Sequence, residues 1–438
     1  MEWQKEYGGK LVTAQEAVQE VKSGDRVVCT MGNEPLTLMS ALEKRKGELS
    51  QVTLSVLPGQ DMDWYHHEGE GPFSMEVIYI VPLVQDMVDR RRADCLIPFP
   101  FYQYPWDMGE ADVLLTVVSP PDDHGLCSFG GSLWNKKAQV QGAGTVLAEV
   151  NSNLIRTYGD NFIHASEIDW FVERVPTGRP PGGTDLRGRV GSEGLGEIDK
   201  AIAENVGALI RDGDTLQIGI GSAAEAVAGA GVFDSRHDLG WHSENTPRGI
   251  IRLVREGVIN GRRKGIHKGK MVATAIVGDT REEMAFVDHN PMFELYAADH
   301  VLDAWVIAAH DNMVAVNGAV AVDLTGQIAA ESIGPRLVSA VGGQLTFVIG
   351  SHLSKGGRAI TVLPSTARGD SVSRLVPRLE EGAVVSIPRS LADVVVTEHG
   401  VAQLRGKSQR QRALELVSIA HPDFRSQLKK DAERLFWP

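Results

Sequence analysis

The sequence predicts an α/β fold of two open, mostly parallel-sheet domains, and three observations carry that expectation. Apolar runs lack polar alternation, helical stretches lie between them, and one helix, turn, strand and turn phrase occurs twice. The runs Asp112-Val113-Leu114-Leu115-Thr116-Val117-Val118, Thr145-Val146-Leu147-Ala148-Glu149-Val150 and Ala304-Trp305-Val306-Ile307-Ala308 read as strands buried on both faces. Helices interleaved with such strands imply mostly parallel sheets. Ligands of open sheets bind at the carboxyl ends of the strands, so loops that follow strands are the places to search for a site.

The repeated phrase is justified element by element. Its first copy runs from a helix at Thr13-Ala14-Gln15-Glu16-Ala17-Val18, through the turn Ser23-Gly24-Asp25, to the strand Arg26-Val27-Val28-Cys29-Thr30, with Gly32 and Pro35 beyond. The second copy has Glu204-Asn205-Val206-Gly207-Ala208-Leu209-Ile210, then Arg211-Asp212-Gly213-Asp214, then Thr215-Leu216-Gln217-Ile218-Gly219 and Gly221. Gly24 to Gly213 and Gly32 to Gly221 are the same offset of 189 residues (213−24 and 221−32). Two homologous halves are the reading this supports. Between them, Val175-Pro176-Thr177-Gly178-Arg179-Pro180-Pro181-Gly182-Gly183 is too rich in Pro and Gly to continue a helix or a central strand. The 438 residues exceed one comfortable core, so domains of residues 1–185 and 186–438 are expected.

Composition removes several function classes. A net charge of −13 and a pI near 5.5 argue against a nucleic-acid partner, whose phosphates call for clustered Lys and Arg. Arg90-Arg91-Arg92 is too short to reverse this. Cys29, Cys95 and Cys127 have neither disulfide nor CxxC spacing, which fits a reducing compartment. The opening is too polar for a signal peptide, and no apolar run approaches the ~20 residues that span a bilayer. A cytoplasmic enzyme without a membrane partner is therefore expected.

Gly219-Ile220-Gly221-Ser222-Ala223-Ala224 follows a strand, opens an Ala-rich helix, and fits the dinucleotide fingerprint G-x-G-x-x-A. The fingerprint wants a strand ending in an acidic residue about 20 positions later. Arg236-His237-Asp238-Leu239-Gly240-Trp241-His242 reads as poor in strand character, which makes an NAD-dependent dehydrogenase a secondary reading. Two explanations of the glycines stay open: an anionic ligand close to the backbone at a helix N-terminus, or turn and packing requirements. The H-x-E in His242-Ser243-Glu244 lacks the P-C-x-x-C of a zinc deaminase, and the neighbours His66-His67-Glu68 are too close together to share an ion, so no metal is expected. In Gly342-Gly343-Gln344 a turn explains the glycines, and so does a loop whose N–H groups face a tetrahedral oxyanion.

Together these phrases resemble the acetyl-CoA hydrolase/transferase family of class I CoA-transferases. The resemblance runs along most of the chain. It rests on Val118-Ser119-Pro120-Pro121-Asp122-Asp123-His124-Gly125, Ala148-Glu149-Val150-Asn151, Gln217-Ile218-Gly219-Ile220-Gly221, Asp238-Leu239-Gly240-Trp241-His242-Ser243-Glu244, Val341-Gly342-Gly343-Gln344, Pro364-Ser365-Thr366-Ala367, Val395-Val396-Thr397-Glu398-His399-Gly400-Val401-Ala402 and Leu404-Arg405-Gly406-Lys407-Ser408. It implies CoA-transferase/NagB-like domains and a ping-pong transfer of CoA from an acyl-CoA to a free carboxylate, with Glu244 as covalent nucleophile. The intermediates would be an acyl-glutamyl anhydride and a glutamyl-CoA thioester.

By the same resemblance the Gly342-Gly343 loop supplies N–H donors, Gln344 an amide, and Gly219 and Gly221 a close approach to CoA. Lys355 and Arg358 are candidates for the CoA phosphates, with a solvated loop as the other reading. Coenzyme A is thus a substrate, no cofactor is bound permanently, and a homo-oligomer, dimer or tetramer, is expected. Glu149 reads as structural, and Glu331 as a residue that could line the site. Where the family usually has Met-Phe and a small acidic turn after the glutamate, this chain has Asn245-Thr246-Pro247-Arg248-Gly249. Asn245 and Arg248 are therefore candidates for acyl contacts. Arg248 either pairs with the second carboxylate of succinate or itaconate, rather than 4-hydroxybutyrate or acetate, or points to solvent. The aromatic run Phe99-Pro100-Phe101-Tyr102-Gln103-Tyr104-Pro105-Trp106 fits an acyl pocket or a dimer contact. An acyl-CoA hydrolase and a non-catalytic CoA-binding protein are the other readings.

Overall fold

Val113–Val118 is buried at every position and Thr145–Val150 at all but the first, as strands covered on both faces must be. The computed structural model describes residues 2–57, 62, 71–98, 110–175, 195–278 and 280–437. His66-His67-Glu68, the aromatic run 99–106 and residues 176–194 with most of the Pro-Gly segment lie outside them. The chain forms two units, Met1–Val190 with Thr274–His300, and Gly191–Ala273 with Val301–Pro438.

In the first unit eight strands among the described residues share one sheet: β1 (Leu11–Val12), β2 (Arg26–Cys29), β3 (Val52–Val56), β4 (Phe73–Val77), β5 (Ala93–Cys95), β6 (Val113–Val118), β7 (Thr145–Val150) and β8 (Trp170–Glu173). Their order is β1-β8-β7-β6-β2-β3-β4-β5, and every neighbouring pair is parallel. Glu149 ties this sheet to the helix Leu36–Glu43: its fully buried carboxylate accepts the Thr37 N–H at 2.7 Å and faces Arg174 at 3.5 Å. A structural part suits it.

The second unit contributes β9 (Thr215–Ile218), β10 (Gly240–Thr246), β11 (Met313–Gly318), β12 (Arg358–Val362), β13 (Val394–Thr397) and β14 (Gly400–Gln403), in the order β14-β13-β12-β11-β9-β10. All pairs are parallel except the β13–β14 hairpin. The run β13-β12-β11-β9-β10 repeats the order of β8-β7-β6-β2-β3. Leu363, Val395, Leu416 and Leu428 belong to one buried cluster on which the helices Gln409–Ser418 and Pro422–Phe436 pack.

The repeated phrase builds one turn twice. Gly24 and Gly213 both have left-handed backbones, at φ 90° and 82°, where glycine is unstrained. The Gly24 N–H donates to Ser50 and the Gly213 N–H to His237, each at 3.0 Å. Asp25 accepts the Lys22 N–H at 2.7 Å, and Asp214 accepts the Arg211 N–H at 2.6 Å.

Two readings of the sequence need correction. Ala304–Ala308 is a helix, not a strand, with Trp305 74% exposed. Five apolar residues cannot separate the two states, and the Asp303 carboxylate settles the matter by capping the Trp305 and Val306 N–H groups at 2.7 and 3.1 Å. The stretch around Trp241 and His242 is not poor in strand structure. Both residues are fully buried in β10, so packing on the sheet overrides weak local preference.

The second copy of the turn carries an addition that the first lacks. Arg358 pairs with Asp214, whose side chain is only 2% exposed. Breaking a buried pair leaves an uncompensated charge, so Asp214→Ala is expected to cost about 3 kcal/mol. Asp25→Ala loses one backbone hydrogen bond, about 1 kcal/mol. Urea midpoints of the two variants measure the difference, and equal losses would contradict it.

Candidate active site

Glu244 stands near the carboxyl end of β10, the edge where open parallel sheets do their chemistry. Every other residue of β10 is buried, while Glu244 is partly accessible. Its neighbour on the far side is Gly343, the N-cap of the helix Gln344–Leu353, whose N–H donates to Glu244 Oε2 at 2.9 Å. A Cβ added to Gly343 would lie 2.4 Å from that same Oε2 and 2.6 Å from Leu302 Cδ2. A side chain there would have to push the Glu244 carboxylate and Leu302 aside. The Gly343 backbone is right-handed, at φ −72°, so close approach rather than turn geometry calls for glycine. A Cβ on Gly342 would meet nothing within 4 Å, so no neighbour here excludes a larger residue.

Burial raises the Glu244 carboxyl to a pKa of about 7, and the Gly343 N–H pulls it back only in part. A carboxylate poised near neutrality suits a nucleophile that must also leave as an acyl carrier. His242 lies on the same face of the strand, two residues earlier. Its Nε2 is 2.9 Å from the Val301 carbonyl oxygen, and its ring meets His310 and Phe347 with centroids 4.8 and 6.2 Å apart. Strand alternation could have pointed to His242 from the sequence, once β10 was known to be a strand. Leu302, His310 and Phe347 carry no such signal.

The other predicted residues divide by edge. Gly219 follows β9, and a Cβ there would come 2.7 Å from Asn317 Oδ1, inside the buried Gln217–Asn317 amide pair with its two 3.0 Å hydrogen bonds. Gly219 thus makes room for packing. Gly221, at φ 135°, caps the helix Ser222–Gly229 in a conformation that other residues avoid. The Gln344 amide donates to the Gly318 carbonyl at 3.3 Å, joining its helix to the end of β11. Asn245 is buried on the face of β10 opposite Glu244, and Arg248 is on the turn just beyond the strand, at the Glu244 edge. The Glu331 carbonyl accepts the Val338 and Ser339 N–H groups beside the hairpin of Ser332–Ile333 and Arg336–Leu337.

Lys355 and Arg358 sit apart from this group. Arg358 opens β12 level with Val314, Leu216 and Trp241, at the amino-terminal edge. That is about 10 Å back along the strands and three strands, roughly 14 Å, across from Glu244. Its guanidinium is committed to Asp214 and to the Leu209 carbonyl, 2.6 Å away. The phosphate reading of Arg358 therefore gives way to a structural ion pair. Exposed Lys355 lies in the same amino-terminal turn, its carbonyl accepting the Asn312 N–H at 2.8 Å.

Known proteins share this arrangement of chain. The model of the acetyl-CoA hydrolase/transferase N-terminal domain matches residues 92–176, and that of the C-terminal domain residues 280–432. The chain is 42% identical to 4-hydroxybutyrate coenzyme A transferase of Clostridium kluyveri, over 100% of both chains. It belongs to the acetyl-CoA hydrolase/transferase family. The succinyl-CoA:cyclohexane-1-carboxylate CoA transferase of Geobacter metallireducens is 34% identical over 99% of this chain and 97% of its own. Among solved structures, RipA from Yersinia pestis superposes with a TM-score of 0.89 at 29% identity over 100% of both chains. A 4-hydroxybutyrate CoA-transferase from Porphyromonas gingivalis gives 0.77 at 33% identity over 99% and 100%. The chain is a CoA-transferase.

The two glycines of this CoA-transferase should behave differently. Gly343→Ala forces the Glu244 carboxylate away from its donor, and a donor of this kind is worth roughly 10²–10³-fold in rate. Gly342→Ala meets open space and should keep most of the activity. Steady-state rates of both variants, compared at matched melting temperature, test the assignment; similar losses would refute it.

Proposed function

We propose that this CoA-transferase moves CoA from an acyl-CoA to a free carboxylate through a covalent bond to Glu244. The supporting observation is the Gly343 N–H held 2.9 Å from Glu244 Oε2, with the carboxyl near pKa 7. Oε1 attacks the thioester carbonyl and the C–S bond breaks, so CoA leaves as thiolate and an acyl-glutamyl anhydride remains. The thiolate then attacks the glutamyl carbonyl, the anhydride C–O bond breaks, and the first acid departs as its carboxylate. Glu244 is left as a CoA thioester, and an incoming carboxylate runs the two steps in reverse. In the second step the negative charge develops on the oxygen that Gly343 already holds. That donor needs no reorganisation at the moment of reaction.

Intact mass after mixing with acetyl-CoA is the direct measurement. A CoA-sized increment is expected on the native chain and none on Glu244→Ala. The carboxyl is protonated below its pKa of about 7 and cannot attack, so the adduct should form faster as pH rises from 6 to 8. Full turnover in Glu244→Gln would defeat the scheme.

The substrate reading turns on Arg248, in the loop after β10. We take its guanidinium to pair with the far carboxylate of a dicarboxylate acceptor such as succinate or itaconate. With acetyl-CoA as donor, Arg248→Ala should lower kcat/KM for succinate by about 10–100-fold, the worth of a charged hydrogen bond, and leave butyrate unchanged. Equal losses with both acids rule this out. Cys29 and Cys127 are free and buried, which supports a reducing, cytoplasmic compartment.

A further inference from the structure

His242 is fully buried, and burying a polar ring costs free energy unless its polar atoms are used. A carbonyl oxygen only accepts, so the 2.9 Å contact with Val301 means that Nε2 carries the proton and donates. Val301 directly precedes Leu302. Besides Glu244, the side chains of Leu302 and Phe347 close on Gly343, at 2.6 and 3.3 Å from the place of a Cβ. The edge of the Phe347 ring meets the His242 ring at 62°. One side chain on β10 therefore touches Phe347 and the residue before Leu302, while Glu244 on the same strand takes the Gly343 N–H.

We infer that His242 is a positioning residue for the transfer, fixing the distance between the Gly343 N–H and the Glu244 carboxylate through Val301 and Phe347. The inference rests on the nucleophilic reading of Glu244. Without the Val301 bond, the segment carrying Leu302 loses its tie to His242 and packs less firmly against Gly343. The donor then meets the glutamyl oxyanion at a poorer distance. Acyl-CoA binding is untouched, so kcat falls and KM stays.

The test uses the full chain with acetyl-CoA as donor and butyrate as acceptor. His242→Phe keeps an aromatic ring against Phe347 and deletes the donor. Its kcat is expected to fall about tenfold or more, a fraction of what a whole oxyanion donor supplies, with KM for acetyl-CoA within about twofold of native. His242→Gln places an amide N–H within reach of the same carbonyl and should recover kcat to within about threefold. Native kcat in His242→Phe overturns the inference, as does a rise in KM at constant kcat, or a glutamine variant no better than phenylalanine. If His242→Phe does not fold, Phe347→Leu removes the contact from the helix side and should likewise lower kcat alone; native kcat there overturns the inference equally. Turnover surviving in Glu244→Gln would bring down the nucleophile itself. An inactive Glu244→Gln beside an unaffected His242→Phe brings down only the positioning role.

Discussion

The contact between the Gly343 N–H and Glu244 Oε2 is the constraint to which the second unit is fitted. A side chain at Gly343 would displace the carboxylate oxygen and Leu302, so keeping the donor in place calls for a glycine at the start of the helix. Glycine brings backbone freedom that weakens a helix start unless packing removes it. Phe347 one turn on, Leu302 beside it and the Gln344 amide on Gly318 provide that packing. The helix Gln344–Leu353 is held at both its face and its first residue, and the N–H is aimed before any substrate arrives.

The repeated architecture keeps one edge constant and lets the other vary. At the amino-terminal edges both halves keep the same anchored turn, with Asp25 and Asp214 accepting the backbone N–H groups of Lys22 and Arg211. At the carboxyl edges the halves diverge. Arg26 pairs with Thr53 as Thr215 pairs with Gly240. Four residues on from each partner stand Leu57 and Glu244. The first half thus has an apolar residue where the second has its carboxylate. Keeping the anchors while varying the opposite edge lets one fold be doubled with a carboxylate in one half only.

Much of this was legible in the residues, and the failures share a cause. The unalternating runs gave β6 and β7 because burial on both faces leaves a local trace. Ala304–Ala308 misled because its deciding feature is one capping aspartate outside the run. Arg358 read as a phosphate ligand because its partner is 144 residues away in sequence. Composition left Gly342 and Gly343 equivalent, and only the atoms of Glu244 and Leu302, distant in the chain, tell them apart. Local signals were readable; pairings made by the fold were not.

The raised pKa of Glu244 puts stability and activity in opposition. A carboxyl with a folded pKa of about 7, against an ordinary value of 4.5, binds its proton more tightly in the native state than in the unfolded chain. Its contribution to stability is full below about pH 4.5 and is lost as pH rises through about 7. Ionisation, which the proposed attack by Glu244 requires, therefore occurs in the same window in which the folded state loses support. The Gly343 N–H limits that loss, because a hydrogen bond to the charged form favours it. The donor that would stabilise the glutamyl oxyanion also keeps a buried carboxylate tolerable in the resting enzyme. Moving it costs on both accounts.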